Sequence, residues 1–207
     1  MPVALGAFQI HTPIARGGMG EVFLGYHGDL PVAVKVIKVG PDQEAAREAF
    51  RNEARAMAGL AHPNIVTVLD YGTIDTEASG RSGELLRDGD PYMVLEYASG
   101  GTLSRHRRHV LHWSELRSAL LAVLDALAHS HARGMVHRDL KLDNVLLCTR
   151  DDVRPGPKLT DYGIARSVTR DTQPIESMIR GTPGYIPTEQ AFGTWRDLGP
   201  WTDLYAL

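Results

Sequence analysis

The strongest constraint on this chain is a run of eight residues, His137-Arg138-Asp139-Leu140-Lys141-Leu142-Asp143-Asn144, followed by Asp161-Tyr162-Gly163. Its carboxylates, ammonium and amide cannot enter an apolar interior without partners, so the fold must hold them on a loop fixed by something rigid. The preceding sequence supplies that element. Leu116, Leu120, Val123, Leu127 and His131 recur at steps of four, three, four and four, which predicts a long amphipathic helix with Gly134 as its C-cap. His137 follows three residues past the cap. The set suits a nucleotide phosphate, because phosphoryl transfer needs metal ions on the phosphate oxygens, a carboxylate to orient the attacking hydroxyl and a cation near the transferring group. Asp161 and Asn144 can hold metal, Asp139 can take the hydroxyl and Lys141 can supply the cation.

Of the 207 residues, 43% are hydrophobic and 23% charged, enough for a core in one larger or two small domains. A formal charge of -3 gives no electrostatic footprint for nucleic acid or an anionic membrane. The richest apolar stretch, Ser118 to Ala132, is broken by Asp125, His129 and His131, so no membrane span is expected. Residues Met1 to Ile10 lack the basic start and apolar segment of a signal peptide. The single cysteine, Cys148, fits a reducing compartment and reads as a small apolar residue.

The first third alternates β-prone runs with turns. Val22 to Leu24 and Val32 to Val36 flank the turn-like Gly28-Asp29-Leu30-Pro31, and Ile65 to Tyr71 and Tyr92 to Glu96 read as further strands of a small antiparallel sheet. Between Pro41 and Pro63, Ala46, Phe50, Met57 and Leu60 share one helical face, with Asp42 as candidate N-cap. Glu53 lies on that stripe and needs a cation there. Lys35, inside Val32-Ala33-Val34-Lys35-Val36-Ile37, is the best candidate; alternation alone also allows it a solvent-facing place on an edge strand. Thr73 to Asp90, rich in Gly, Ser and acidic residues, reads as a flexible excursion. His106, His109 and His112, beside Arg105, Arg107 and Arg108, read as a solvated basic face, since zinc needs converging neutral ligands.

Ile14-Ala15-Arg16-Gly17-Gly18-Met19-Gly20-Glu21-Val22 resembles a glycine-rich phosphate loop. Strands follow it, which disfavours the dinucleotide-binding form of that motif. In order, the glycine loop, Val32-Ala33-Val34-Lys35, a helical Glu53, His137-Arg138-Asp139-Leu140-Lys141 with Asn144, Asp161-Tyr162-Gly163 and Gly181-Thr182-Pro183-Gly184-Tyr185 resemble the eukaryotic-like (Hanks-type) protein kinases, in particular the bacterial serine/threonine branch. The resemblance runs from about residue 8 to the end.

That resemblance implies an α+β, two-lobed protein kinase fold: a small antiparallel sheet lobe with one helix over residues 1–97, then an incomplete, mainly helical lobe over 98–207. It implies ATP and Mg2+ as cofactors. Gly17, Gly18 and Gly20 would cover the phosphates, Ile14 and Met19 would also belong to the cofactor site, Val22 and Ala33 would line the adenine, and Lys35 would hold the α and β phosphates while pairing with Glu53. Leu95 would be the gatekeeper, the backbones of Glu96 and Ala98 would meet the adenine edge, and Leu146 would pack beneath it. Asp139 and Lys141 would serve catalysis, Asn144 and Asp161 the metal. Arg138 would bind a phosphorylated activation loop, for which Thr172 and Ser177 are favoured over Ser167, Thr169 and Thr182. The implied partners are protein Ser/Thr hydroxyls, its own among them, in the cytoplasm, with dimerisation unspecified. The alternative function is an inactive fragment or pseudokinase acting as a nucleotide- or protein-binding module.

The family pattern is departed from in three places: Ala15 replaces a glycine, Tyr162 replaces the usual phenylalanine with a hydroxyl that needs a partner, and Pro187-Thr188-Glu189 stands for Ala-Pro-Glu. Trp201 to Leu207 resembles the start of the large lobe's central helix, with Asp203 expected to bind the catalytic-loop backbone. The arginine that pairs with Glu189 in relatives lies beyond Leu207, so the sequence is expected to be a C-terminally truncated fragment that folds poorly alone.

Overall fold

The computed structural model describes residues 2–17, 20–40, 43–83, 85–106, 112–162, 185, 187–191 and 198–207, leaving aside the side chains of residues 45, 53, 190 and 191. It divides into two compact units, residues 1–59 with 67–97, and residues 60–66 with 98–207.

The first unit is built on strands β1 (Val3–Leu5), β2 (Phe8–Gly17), β3 (Gly20–His27), β4 (Leu30–Ile37), β5 (Val68–Thr73) and β6 (Pro91–Glu96). They form one antiparallel sheet in the order β1-β2-β3-β4-β6-β5. Because side chains alternate across a strand, the register sorts residues cleanly between its faces. Phe23, Val34 and Val94 form one cross-strand row, and Glu21, Val36 and Tyr92 another on the same side. The opposite face carries the rows Val22, Lys35, Met93 and Leu24, Ala33, Leu95.

Phe23, Val32, Val34, Val36, Tyr92 and Val94 join Val3, Leu5, Phe8, Ile10, Ile74, Ala78 and Leu86 in a single core cluster. Each large side chain buried there contributes about 1.5–3 kcal/mol. The excursion therefore differs from expectation. Asp75 caps a short helix, α2 (Thr76–Arg81), by accepting the Ala78 N–H at 2.7 Å, and Ile74, Ala78 and Leu86 are buried against the sheet. Three apolar residues among polar ones suffice to fix the segment. Strands β1 and β2 were absent from the sequence reading although Val3, Leu5, Phe8 and Ile10 alternate inward.

Helix α1 (Glu44–Ala58) buries Ala46, Phe50, Ala54 and Met57, the expected stripe, with Leu60 buried just beyond it. Its N-cap is Gln43, which makes no side-chain cap hydrogen bond, while Asp42 lies outside the described residues.

The second unit holds α3 (Leu103–His106), α4 (Trp113–His131), a 3-10 turn (Leu142–Asn144), the hairpin β7 (Val145–Cys148) and β8 (Gly156–Leu159), α5 (Thr188–Ala191) and α6 (Pro200–Ala206). Glu115 accepts the His112 N–H at the start of α4, and Gly134 turns the chain at φ 73° beyond its end. The buried face of α4 is Ala119, Val123, Ala126, Leu127 and Ser130, whereas Leu116, Leu121 and Leu124 are exposed. The predicted stripe is thus rotated toward the small residues. Cys148 is buried at the end of β7.

A single division after residue 97 misplaces one segment. Residues 60–66 lie along β8: Val66 N–H donates to Leu159 O at 2.9 Å, Leu159 N–H to Asn64 O at 2.8 Å, and the buried Lys158 Nζ to Pro63 O at 2.8 Å. These bonds tie the segment to the second unit. Among the described residues no helix is long and apolar enough to cross a membrane.

Candidate active site

In the first unit the glycine loop joins β2 to β3, whose last register pair is Gly17 with Gly20; Gly18 and Met19 lie outside the described residues. Gly20 has no substitute. Its φ is 155°, and a Cβ there would stand 2.0 Å from the Val36 carbonyl oxygen. Ile14 is exposed on β2. Val22, Ala33 and Lys35 are half-buried and share one sheet face, so Lys35 sits in the interior strand β4, between β3 and β6, and not on an edge. The Glu53 side chain lies outside the described residues, although its position on α1 is given. Leu95 is buried beside Ala33. Glu96 closes β6, its N–H donating to Thr67 O at 3.0 Å and its Oε1 accepting the Thr67 N–H at 3.1 Å.

In the second unit, Ala98 O accepts the Gly101 N–H at 3.3 Å, and Leu146 is half-buried in β7, paired with Lys158 and bridged to Thr102. The polar loop is organised around a buried carboxylate from α6. Asp203 is 1% exposed; Oδ1 accepts the Arg138 N–H at 2.7 Å, and Oδ2 accepts the His137 N–H at 2.8 Å and bonds His131 Nε2 at 2.7 Å. Arg138 needs this support because its φ of 65° is uncommon for a residue with a side chain.

His137 is fully buried, which pushes its pKa down and keeps the ring neutral. Nε2 donates to Thr160 O at 2.9 Å, so Nδ1 is left as the acceptor of the Asp139 N–H at 3.3 Å. The ring lies 4.6 Å from that of Tyr162. Tyr162 is itself buried, and its hydroxyl has no well-formed hydrogen bond among the described residues although Ser130 is beside it. Burial pushes this phenol up to about 12. The partner that the departure from phenylalanine requires is only approached.

Asp139 follows on the exposed side of the loop. Its Oδ2 accepts from Lys141 Nζ at 2.8 Å and from Asn144 Nδ2 at 3.1 Å, and its carbonyl accepts from the same amide at 2.7 Å. With Nδ2 turned to Asp139, Asn144 keeps its amide oxygen for another role. Asn144 O in turn accepts the Thr160 N–H at 3.0 Å, which leads directly to Asp161, held at φ 60°. Asp139, Lys141 and Asn144 are thus joined in one hydrogen-bonded loop, to which Thr160, the neighbour of Asp161, is bonded within the same unit.

Glu189, expected to lack its arginine, accepts from Thr202 Oγ1 at 2.9 Å. His106 Nε2 bonds Gly100 O at 2.9 Å, while Arg107, Arg108 and His109 lie outside the described residues, as do Ser167, Thr169, Thr172, Ser177 and Thr182. The sequence reading missed the His131 bond to Asp203; the spacing of His131 on α4 had marked it as core.

Residues 8–207 match the protein kinase domain family. The chain belongs to that family. This kinase-family chain is 36% identical over 209 residues to the serine/threonine-protein kinase Pkn1 of Myxococcus xanthus, covering 99% of itself and 28% of that protein. It is 38% identical over 211 residues to the serine/threonine-protein kinase PknA of Mycobacterium tuberculosis, covering 98% and 45%. The solved kinase domain of Mycobacterium tuberculosis PknI is similar with a TM-score of 0.71 at 27% identity, over 99% of this chain and 72% of that one. The chain therefore spans less than half the length of these two curated relatives, which are bacterial serine/threonine kinases.

Proposed function

We propose that this chain carries the ATP-binding and catalytic residues of a Mg2+-dependent protein serine/threonine kinase, working on the cytoplasmic side where ATP is found. The observation that carries the reading is the Asp139–Lys141–Asn144 arrangement, fixed from behind by Asp203. Asp139 presents an acceptor oxygen to a protein hydroxyl, orients it and receives its proton. Lys141, a donor already beside that carboxylate, offsets negative charge on the transferring phosphoryl group.

Asn144 and Asp161 fit a hard cation. Both offer oxygen, the Asn144 nitrogen is engaged elsewhere, and magnesium is commonly bound by one or two side-chain oxygens together with substrate phosphates. When bound, the ion neutralises phosphate charge. Lys35, on the face shared with Val22 and Ala33, holds the α and β phosphates with Glu53 as its counter-ion, and the glycine loop between β2 and β3 covers them with backbone N–H groups. By family resemblance Val22, Ala33 and the Glu96 backbone are the adenine-binding groups of the first unit, and Leu146 and the Ala98 backbone those of the second.

Transfer of the labelled γ-phosphate of ATP to a basic protein tests this reading. The expected outcome is transfer onto Ser or Thr, reduced about 10²–10⁴-fold in Asp139→Asn with ATP binding retained. Binding without any transfer in the unmutated chain would favour the nucleotide-binding module instead.

A further inference from the structure

Helix α1 carries Glu53, so whatever fixes α1 fixes the counter-ion of Lys35. Its middle and end are held by Phe50, Ala54 and Met57 in the core. Its beginning is held differently. Gln43 turns its side chain back to accept the Gly40 N–H at 3.3 Å and so provides no cap for the helix.

The first turn is instead tied to the excursion through Arg47. That side chain is 13% exposed, and its Nε donates to Gly89 O at 2.9 Å while an Nη donates to Gly40 O at 3.2 Å. Gly89 has a φ of 81°, which favours glycine. One residue on, Asp90 is 2% exposed and its Oδ1 accepts the Val39 N–H at 3.1 Å, closing a second tie between the excursion and the chain leading into α1. The excursion can bear load because it is itself closed: Ile74 N–H donates to Asp90 O and Gly89 N–H to Ile74 O, each at 2.9 Å, and Ile74, Ala78 and Leu86 are buried in the sheet core.

We propose that residues 74–90 act as a strut that sets the position of helix α1, with Arg47 and Asp90 as positioning residues for the kinase site. The kinetic part rests on the kinase reading given above. The strut makes the excursion a lever, since anything that shifts residues 87–90 moves the start of the helix that carries Glu53.

Hydrogen–deuterium exchange on the whole chain, read in residues 44–58 with α4 as internal reference, tests it in Arg47→Ala, Asp90→Ala and Asp90→Asn. The alanine variants are expected to raise exchange in α1 about tenfold while leaving α4 unchanged. Asp90→Asn, which keeps an oxygen for the Val39 N–H, is expected to restore protection. In turnover assays the alanine variants should lower kcat with the KM for protein substrate unchanged. Unchanged exchange in α1 for both alanine variants, or an equal rise in α4, would overturn the strut. Absence of ATP binding and transfer in the unmutated chain would defeat the kinase reading alone, because the exchange pattern decides the strut without it.

Discussion

Asp203, on α6, and Asp139, on the loop that Asp203 holds, belong to the same unit, yet they use a carboxylate in opposite ways. Asp203 is 1% exposed and has committed its oxygens to His137 N–H, Arg138 N–H and His131. Asp139 has a side chain 26% exposed, and Lys141 and Asn144 both engage its Oδ2. The first carboxylate holds the loop in a left-handed turn at Arg138, and the second is held for use. Burial supplies strength of attachment, and partial exposure supplies access.

The most damaging way to break this contrast is Asp203→Ala. It leaves buried N–H groups without acceptors, and we expect a loss of about 3–5 kcal/mol, seen as a lower denaturant midpoint together with lost phosphoryl transfer. Asp139→Asn should separate the two roles, with its about 10²–10⁴-fold loss of rate accompanied by an unfolding midpoint close to that of the unmutated chain. Tyr162→Phe probes the same buried layer from the other direction. It removes a hydroxyl that makes no well-formed hydrogen bond, and should stabilise the chain by about 1 kcal/mol, measured by chemical denaturation.

The smallest effect belongs to Asp90, a buried carboxylate in the first unit whose pKa is raised by desolvation, against the lowering effects of the Val39 N–H, Arg87, Arg47 and Lys38. The native state therefore holds this proton more tightly than the unfolded chain. Its contribution to stability is full below the ordinary aspartate value of 3.8 and is lost as pH rises through the raised value. Asp90→Asn keeps the acceptor without the charge. Its melting temperature should exceed that of the unmutated chain at neutral pH, by no more than about 3 °C, and the gap should close in acid. A gap that stays constant across pH would show that ionisation of Asp90 is not its source.

The polar loop was legible because its residues have chemistry that a core cannot absorb. His137, Asp139, Lys141 and Asn144 had to form a polar network, and they do. The α1 stripe was legible for a similar reason, since Ala46, Phe50 and Met57 stand among charged neighbours that leave one inward face. On α4 the signal was degenerate. Leucines occur on several sides, and close packing selected the face with Ala119, Ala126 and Ser130, where small side chains let neighbours approach. The excursion was misread because Gly, Ser and acidic residues dominate its composition while Ile74, Ala78 and Leu86 decide its structure. Asp203 could be expected from family resemblance alone, since one Asp in a seven-residue helix carries no local signal of its 65- and 66-residue reach to the loop.

Cys148 is the chain's only thiol and is 7% exposed at the end of β7, the strand that immediately follows Asn144. A thiol reagent added to the native protein therefore meets one target, and meets it when the β7–β8 hairpin opens. The labelling rate becomes a clock for excursions of the Asn144 end of the loop, read without any engineered label and independently of whether phosphate is being transferred.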